Sequence, residues 1–196
     1  YKNIFVAEPG IDKIYFNNDG SVDKKDIISI GNIIPRKGYH ILIDALASIK
    51  KNWKLRIIGD YSLDINYYNY LKNKIVEKKL EEKIIFLGVI QKKEMIKYLK
   101  NSKIFVSTTL FEGYGMSHLE AAIMGLKVIV SDLPVLRESL KNQNVEFIEH
   151  GNIELFTKAI IENLDNKLNI IQKNFTYLYG WKRTSKKFLK AINAAK

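Results

Sequence analysis

Two acidic residues, Glu112 and Glu120, stand eight positions apart around the run Gly113-Tyr114-Gly115-Met116. Apolar residues precede this stretch at Ile104, Phe105 and Val106. After it Met116, Leu119, Ala122 and Ile123 fall at helical spacing. Gly125 closes that helix, and Val128-Ile129-Val130 resumes a buried strand. Glycines just before a helix let the backbone come close to a ligand, and the free N–H groups and dipole of the helix start favour an anion there. The stretch therefore offers a phosphate seat. An ionised carboxylate accepts hydrogen bonds from hydroxyls, so Glu112 in the loop and Glu120 in the second turn suit a sugar or ribose better than a second phosphate. Phosphate and polyol together point to a sugar nucleotide.

The elements that must hold this stretch alternate along the chain. A short strand or an extended entry segment is expected at residues 3–7 and a polar loop at 17–25. Strands are expected at 26–31, 53–58, 84–87, 104–107, 128–131 and 145–148. Helices fall between them: one carries Ile41, Leu42, Ala45, Leu46 and Ile49 on one face, and another spans 67–79 with Tyr68, Leu71 and Ile75 spaced for burial. Shorter helices follow at 92–100 and 135–140, and two close the chain. The pattern predicts an α/β domain with a Rossmann-like parallel sheet of about six strands and helices on both faces. Ligands of such sheets bind beyond the carboxyl ends of the strands. Residues 32–38, Gly59-Asp60, Gly88-Val89 and 112–115 all fall there.

The 196 residues, 46% of them hydrophobic, suffice for one sizeable core, and a single domain with a helical tail over 168–196 is expected. There is no cysteine, which excludes disulfides and thiolate metal sites and permits a reducing compartment. The longest apolar run, around residues 84–90, is too short to span a bilayer, and no amino-terminal stretch has the order of a signal peptide; a cytoplasmic protein is expected. The net charge of +11 raises the question of nucleic acid. Only Arg36, Arg56, Arg137 and Arg183 are arginines and the lysines are scattered, whereas base-reading surfaces lean on arginine forks and aromatic platforms. A solvated lysine surface is the plainer reading.

Ile30-Gly31 with Pro35-Arg36-Lys37-Gly38, then Ile58-Gly59-Asp60, Phe86-Leu87-Gly88-Val89, and Glu112-Gly113-Tyr114-Gly115-Met116 with Glu120-Ala121 and Gly125, resemble the carboxyl-terminal half of retaining glycosyltransferases of the GT-B fold, family four. The resemblance covers residues 4–190. It implies that Lys37, with Arg36 beside it, binds the donor diphosphate, that Glu112 faces the donor sugar and reacting centre, and that Glu120 holds the ribose hydroxyls. Backbone at Gly113, Tyr114, Gly115 and Met116 would meet sugar and phosphate, backbone at Gly88 and Val89 the nucleobase, and Gly31, Asn32 and Gly59 would complete the donor site. It also implies no metal and no cofactor, with lysine, arginine and helix dipole offsetting charge on the leaving diphosphate. Asn32 stands where family members usually carry an arginine, a charge for which Arg36 could substitute. The acceptor, a glycan or lipid-linked molecule, would come from an amino-terminal domain absent from this chain, which alone should bind donor without turnover.

Plainer readings stand beside these. Glu112 and Glu120 could be solvated acids, and Lys37 a surface lysine. His118, between the glutamates, is expected to be solvated or capping, and His40 and His150 to have no chemical company. Asp60 could only cap a turn. In the tail, Phe175, Tyr177, Tyr179 and Trp181 precede Lys182-Arg183 and Lys186-Lys187. That segment could lie on an anionic membrane, or pack toward the absent domain through Trp181, Phe188, Leu189 and Ile192, the commoner use of such spacing. Another enzyme of the same fold, such as a nucleotide-sugar epimerase or a phosphorylase, is the alternative function, followed by a noncatalytic polyanion-binding module.

Overall fold

Short β-branched runs separated by amphipathic segments can bury both faces only in a parallel sheet with helices on each side. The computed structural model of the chain, which describes residues 4–16, 26–166 and 179–194, has that architecture. The strands are β1 (Asp26–Ile30), β2 (Leu55–Ile58), β3 (Ile84–Gly88), β4 (Ser102–Ser107), β5 (Lys127–Ser131) and β6 (Val145–Ile148). All pair in parallel, in the order β3-β2-β1-β4-β5-β6. Between and after them lie α1 (Tyr39–Ala47), α2 (Ile65–Glu77), α3 (Lys92–Asn101), α4 (Met116–Ile123), α5 (Pro134–Ser139), α6 (Ile153–Asp165) and α7 (Trp181–Ala194).

Alternation along the strands divides the core in two. Ile27, Ile57, Ile104, Val106 and Ile129 pack with α1, α2 and α6 on one face. Their neighbours Ile28, Ile58, Phe105, Val128 and Val130 pack with α3, α4 and α5 on the other. Each fully buried Ile or Leu side chain contributes about 1.5–3 kcal/mol of transfer free energy, so both faces hold the sheet.

Strand order reverses between β1 and β4, and a crevice opens at their carboxyl ends. The loops that follow these two strands are laced together. The Arg36 carbonyl accepts from Leu110 N at 2.8 Å and from Thr109 Oγ1 at 3.2 Å, and the Gly38 carbonyl accepts from Thr108 Oγ1 at 2.8 Å. The approach is close enough to require glycine: Gly38 has φ 66°, and a Cβ there would fall 2.2 Å from the Thr108 carbonyl oxygen.

Two expectations need correction or restriction. Of the two readings for residues 3–7, a strand or an extended entry segment, residues 4–7 rule out the strand, for they join no ladder; Ile4 and Val6 are 79% and 68% exposed. Among the described residues the chain first makes a β-type bridge at Ile11, with Gly180. The loop expected at 17–25, and Phe175 and Tyr177 of the tail, lie outside the described residues. The other expected strands and helices are present, with ends shifted by one or two residues.

Gly38→Ala is expected to cost about 2 kcal/mol or more, lowering the melting temperature by several degrees. Gly113→Ala, whose Cβ would meet nothing within 4 Å, should change stability by about 0.5 kcal/mol or less. Thermal unfolding followed by circular dichroism compares the two.

Candidate functional site

The crevice is spanned by an ion pair. Lys37 Nζ donates to Glu112 Oε2 at 2.6 Å, and the two side chains are only 12% and 15% exposed. Burial opposes the Glu112 charge, but the Lys37 ammonium outweighs it, helped by the Gly113 N–H, and the carboxyl sits below the usual range. The lysine reaches across Gly31: a Cβ there would lie 3.0 Å from its Cε and 3.4 Å from its Nζ. Beside the pair, Arg36 Nη1 donates to the Phe111 carbonyl at 2.7 Å, with its guanidinium 5.9 Å from the Phe111 ring centre. Arg36 is exposed at the rim. The other three arginines are paired away from it, with Asp26, Asp132 and Glu8.

A row of backbone extends the site along the carboxyl ends of β1, β2 and β3. Gly59 N donates to the Gly88 carbonyl at 3.0 Å, and a Cβ on Gly59 would fall 2.0 Å from the Gly31 oxygen. Asn32 and Val89 are exposed here. Asp60 Oδ1 accepts from Ser62 N and Oγ, at 2.8 and 2.6 Å, and so closes a turn. That turn carries Tyr61, whose ring lies 3.2 Å from where a Gly88 Cβ would be and stacks on Tyr68 at 4.7 Å. On the other side of the crevice α4 begins at Gly115 with no side-chain cap, whereas α2 and α6 are capped by Asp64 and Asn152. Its first N–H groups and the open space at Gly113 suit an anion. Tyr114 turns its side chain away, toward a small cavity of about 90 Å³ shared with Glu8, Glu138 and Tyr179, so only its backbone borders the loop. Met116 packs partly against the core.

The second glutamate has different company. Glu120 lies near the Tyr15 hydroxyl and near Asp12 and Lys92, which pair with each other at 3.2 Å. Burial pushes its carboxyl up to about 7, with the Tyr15 hydroxyl and Lys92 opposing. Tyr15 comes from a 3-10 turn, Lys13–Phe16, and is itself buried. Nothing in the spacing of the sequence signals this neighbour; Tyr61 was likewise invisible.

The histidines differ from expectation. His118 is neither solvated nor capping: it is 0% exposed, its ring 5.2 Å from that of Phe105. Its Nε2 has no partner among the described residues, and burial lowers its pKa to about 4, against the pull of Glu112. It is neutral at physiological pH and shielded from solvent. His40 does have company, with Nδ1 2.9 Å from the Tyr67 hydroxyl. Tyr67, not Tyr68, is the buried tyrosine beside Leu71 and Ile75; Tyr68 lies at the edge against Phe86.

Among the described residues no three His, Asp or Glu side chains gather as a metal site, and no helix is long and apolar enough to cross a membrane. Helix α7 leaves Trp181, Phe188, Leu189 and Ile192 exposed. It is held to the leading segment by Thr184 Oγ1, which donates to the Glu8 carbonyl at 2.8 Å, and by Lys187 on the Glu8 carboxylate.

Residues 11–177 match the family of glycosyl transferases group 1. The chain belongs to this family. It is 28% identical over 184 residues to an uncharacterised glycosyltransferase of Methanocaldococcus jannaschii, covering 91% of this chain and 50% of that protein. It is 31% identical over 154 residues to the UDP-Gal:alpha-D-GlcNAc-diphosphoundecaprenol alpha-1,3-galactosyltransferase of Escherichia coli, covering 74% and 38%. Among solved structures, HepE of Anabaena in complex with UDP-glucose superimposes with a TM-score of 0.79 at 20% identity, over 88% of this chain and 49% of that one. The sheet and its helices are those of the GT-B glycosyltransferases. The chain spans about a third to a half of the length of the curated relatives it matches.

A carboxyl raised above its unfolded value holds its proton more tightly in the folded chain. Glu120 therefore stabilises at low pH, and that contribution is lost as pH rises through about 7. Glu120→Gln keeps a polar group near Tyr15 and cannot ionise. It is expected to raise unfolding free energy by about 2–3 kcal/mol at pH 8 and by a few tenths at pH 4. Urea titrations at the two pH values read the difference.

Proposed function

We propose that this chain is the donor-binding domain of a retaining glycosyltransferase that moves a sugar from a UDP- or GDP-linked donor to a glycan, polysaccharide or glycolipid acceptor. The observation that carries the reading is the Lys37–Glu112 pair, set at the strand-order switch beside the uncapped start of α4. An ammonium, the start of α4 with no side-chain cap and an ionised carboxylate meet where a sugar diphosphate would lie. The donors named for the Escherichia coli relative and the Anabaena structure, UDP-galactose and UDP-glucose, are of this class.

In this reading the diphosphate takes the Lys37 ammonium, with Arg36 and the α4 amides beside it, and no metal is required. The nucleobase lies along Gly59, Gly88 and Val89, and Glu120 receives the ribose. As the bond from the anomeric carbon to the phosphate oxygen breaks, negative charge grows on the diphosphate and positive charge on the sugar. Lys37 and the helix start stabilise the first, and the Glu112 carboxylate the second. Because Lys37 keeps Glu112 ionised and weakly basic, it is poorly suited to take a proton from an acceptor attacking the opposite face. The acceptor oxygen instead bonds the anomeric carbon on the face the diphosphate leaves, and its proton passes to the departing phosphate, which retains configuration. We place the acceptor on a further domain of the kind the longer relatives have room for, covering the exposed stripe of α7. The setting is cytoplasmic.

A nucleotide-sugar panel tests the assignment by thermal shift. A UDP- or GDP-sugar at about 100 times its Kd should add about 2.7 kcal/mol, several degrees of melting temperature. Lys37→Ala should remove most of the shift. No shift with any nucleoside diphosphate or its sugars would overturn the reading.

A further inference from the structure

We propose that Tyr61 is the platform on which the base of the donor stacks, a side-chain contact added to the backbone that borders the same place. The inference deepens the donor-binding reading and rests on it.

A nucleotide whose diphosphate sits at Lys37 and the start of α4 can run along the rim of the sheet in either of two directions. Toward β5 the rim carries an ion pair, with Arg137 Nη2 donating to Asp132 Oδ2 at 2.7 Å. Toward β2 and β3 it carries the bare backbone of Gly59 and Gly88, and then the exposed side chains of Tyr61, Leu63 and Val89. A base is a flat π system, and an aromatic side chain covers its face whatever the base is. The second direction offers such a ring. Phe111, an exposed ring beside Glu112, already has the Arg36 guanidinium 5.9 Å from its centre.

Tyr61 follows Gly59-Asp60 at the carboxyl end of β2 and reaches over the end of β3. Its Cε1 lies 3.2 Å, and its Cζ and hydroxyl oxygen 3.9 Å, from where a Gly88 Cβ would stand. One face of the ring is taken. It stacks on Tyr68 with centres 4.7 Å apart and planes 21° from parallel, and Tyr68 meets Phe86 edge-on at 5.1 Å. Tyr61 is nevertheless 40% exposed, and what is exposed lies on the side away from Tyr68. A base placed there becomes the third ring of a stack that the fold has already begun.

The turn beneath the ring is fixed as well. Asp60 Oδ1 accepts from Ser62 N and Oγ, and the Asp60 carbonyl accepts from Ile33 N at 2.8 Å. The second bond ties the turn to the loop that carries Lys37, so the ring and the ammonium are spaced by one connected piece of backbone. A ring held in place before the ligand arrives loses little freedom on binding. Tyr61 brings no charge to the rim, so its contribution goes to the base and not to the diphosphate.

Calorimetry on the chain with UDP or GDP, whichever it binds, and with inorganic pyrophosphate, which has the diphosphate without base or ribose, tests the proposal. The wild-type chain should bind the nucleotide more tightly than pyrophosphate. Tyr61→Ala should weaken the nucleotide by about tenfold or more and leave pyrophosphate within about twofold. Tyr61→Phe and Tyr61→Trp keep a ring and should hold the nucleotide within about threefold of wild type, whereas Tyr61→Leu, which covers Gly88 without a π face, should lose about fivefold. Unchanged nucleotide affinity in Tyr61→Ala, or full affinity in Tyr61→Leu, overturns the proposal. So does an equal loss for nucleotide and pyrophosphate, the mark of a crevice disturbed as a whole. Those results leave the donor reading standing and remove this inference alone. A wild-type chain that binds no nucleoside diphosphate and none of its sugars removes both. Fluorescence gives a second readout, because a base stacked on an indole quenches it. Nucleotide should dim the emission of Tyr61→Trp by more than it dims that of the wild type, whose tryptophans are Trp53 and Trp181. Equal quenching in the two chains counts against stacking.

Discussion

The crevice exists because two loops from neighbouring strands are tied to each other by their own backbones. β1 and β4 lie side by side at the point where strand order reverses, so the chain leaves them toward opposite sides of the sheet. Left to themselves the loops would diverge. The carbonyl groups of Arg36 and Gly38 instead accept from Leu110, Thr109 and Thr108, and Gly38 allows the approach because it has no side chain. This lacing sets the distance between the first loop and the second, and so brings Lys37 within hydrogen-bond reach of Glu112. The ion pair is a result of the backbone arrangement. Partly buried as it is, its Coulomb gain is offset by desolvation, and its net contribution to stability is modest.

Two carboxylates of the same type, eight residues apart, are driven in opposite directions by their surroundings. Glu112 meets an ammonium and stays charged; Glu120 meets a hydroxyl and a closed environment and is held near neutrality. The contrast follows from which element each faces. Glu112 sits in a loop open to the crevice, while Glu120 lies on the flank of α4 covered by the turn at Lys13–Phe16. A polar group in a covered place costs free energy unless something compensates, and at Glu120 a ligand with hydroxyls would supply that compensation.

Buried polarity is not confined to the glutamates. His118 lies under the glycine loop with one ring nitrogen unpaired among the described residues, and its neutrality is the response of a basic group to a dry site between an ammonium and an aromatic ring. Some of the surface lysines are paired locally: Lys51, Lys74, Lys127 and Lys187 each meet a carboxylate.

Much of this was legible in the residues because it rests on local rules. Period-two and period-3.6 patterns place the strands and helices, and glycines at strand ends place the loops, so Lys37, Glu112, Gly59 and Gly88 could be set on one rim before any coordinates. Residues 3–7 could be read as a strand or as an extended entry segment because an extended apolar stretch has the same local pattern in both, and residues 4–7 join no ladder. His118 misled because a polar residue between two acids gives no sign of which way its helix is turned. What the sequence by itself determined was the alternation, the strand ends and the residue types at the rim, all properties of spacing along the chain. What only the tertiary structure decided was partnership: Lys37 with Glu112, Tyr15 near Glu120, Glu8 with α7. Those contacts join segments far apart in the chain, and their geometry depends on how the sheet is ordered and how its loops close, which no local pattern encodes.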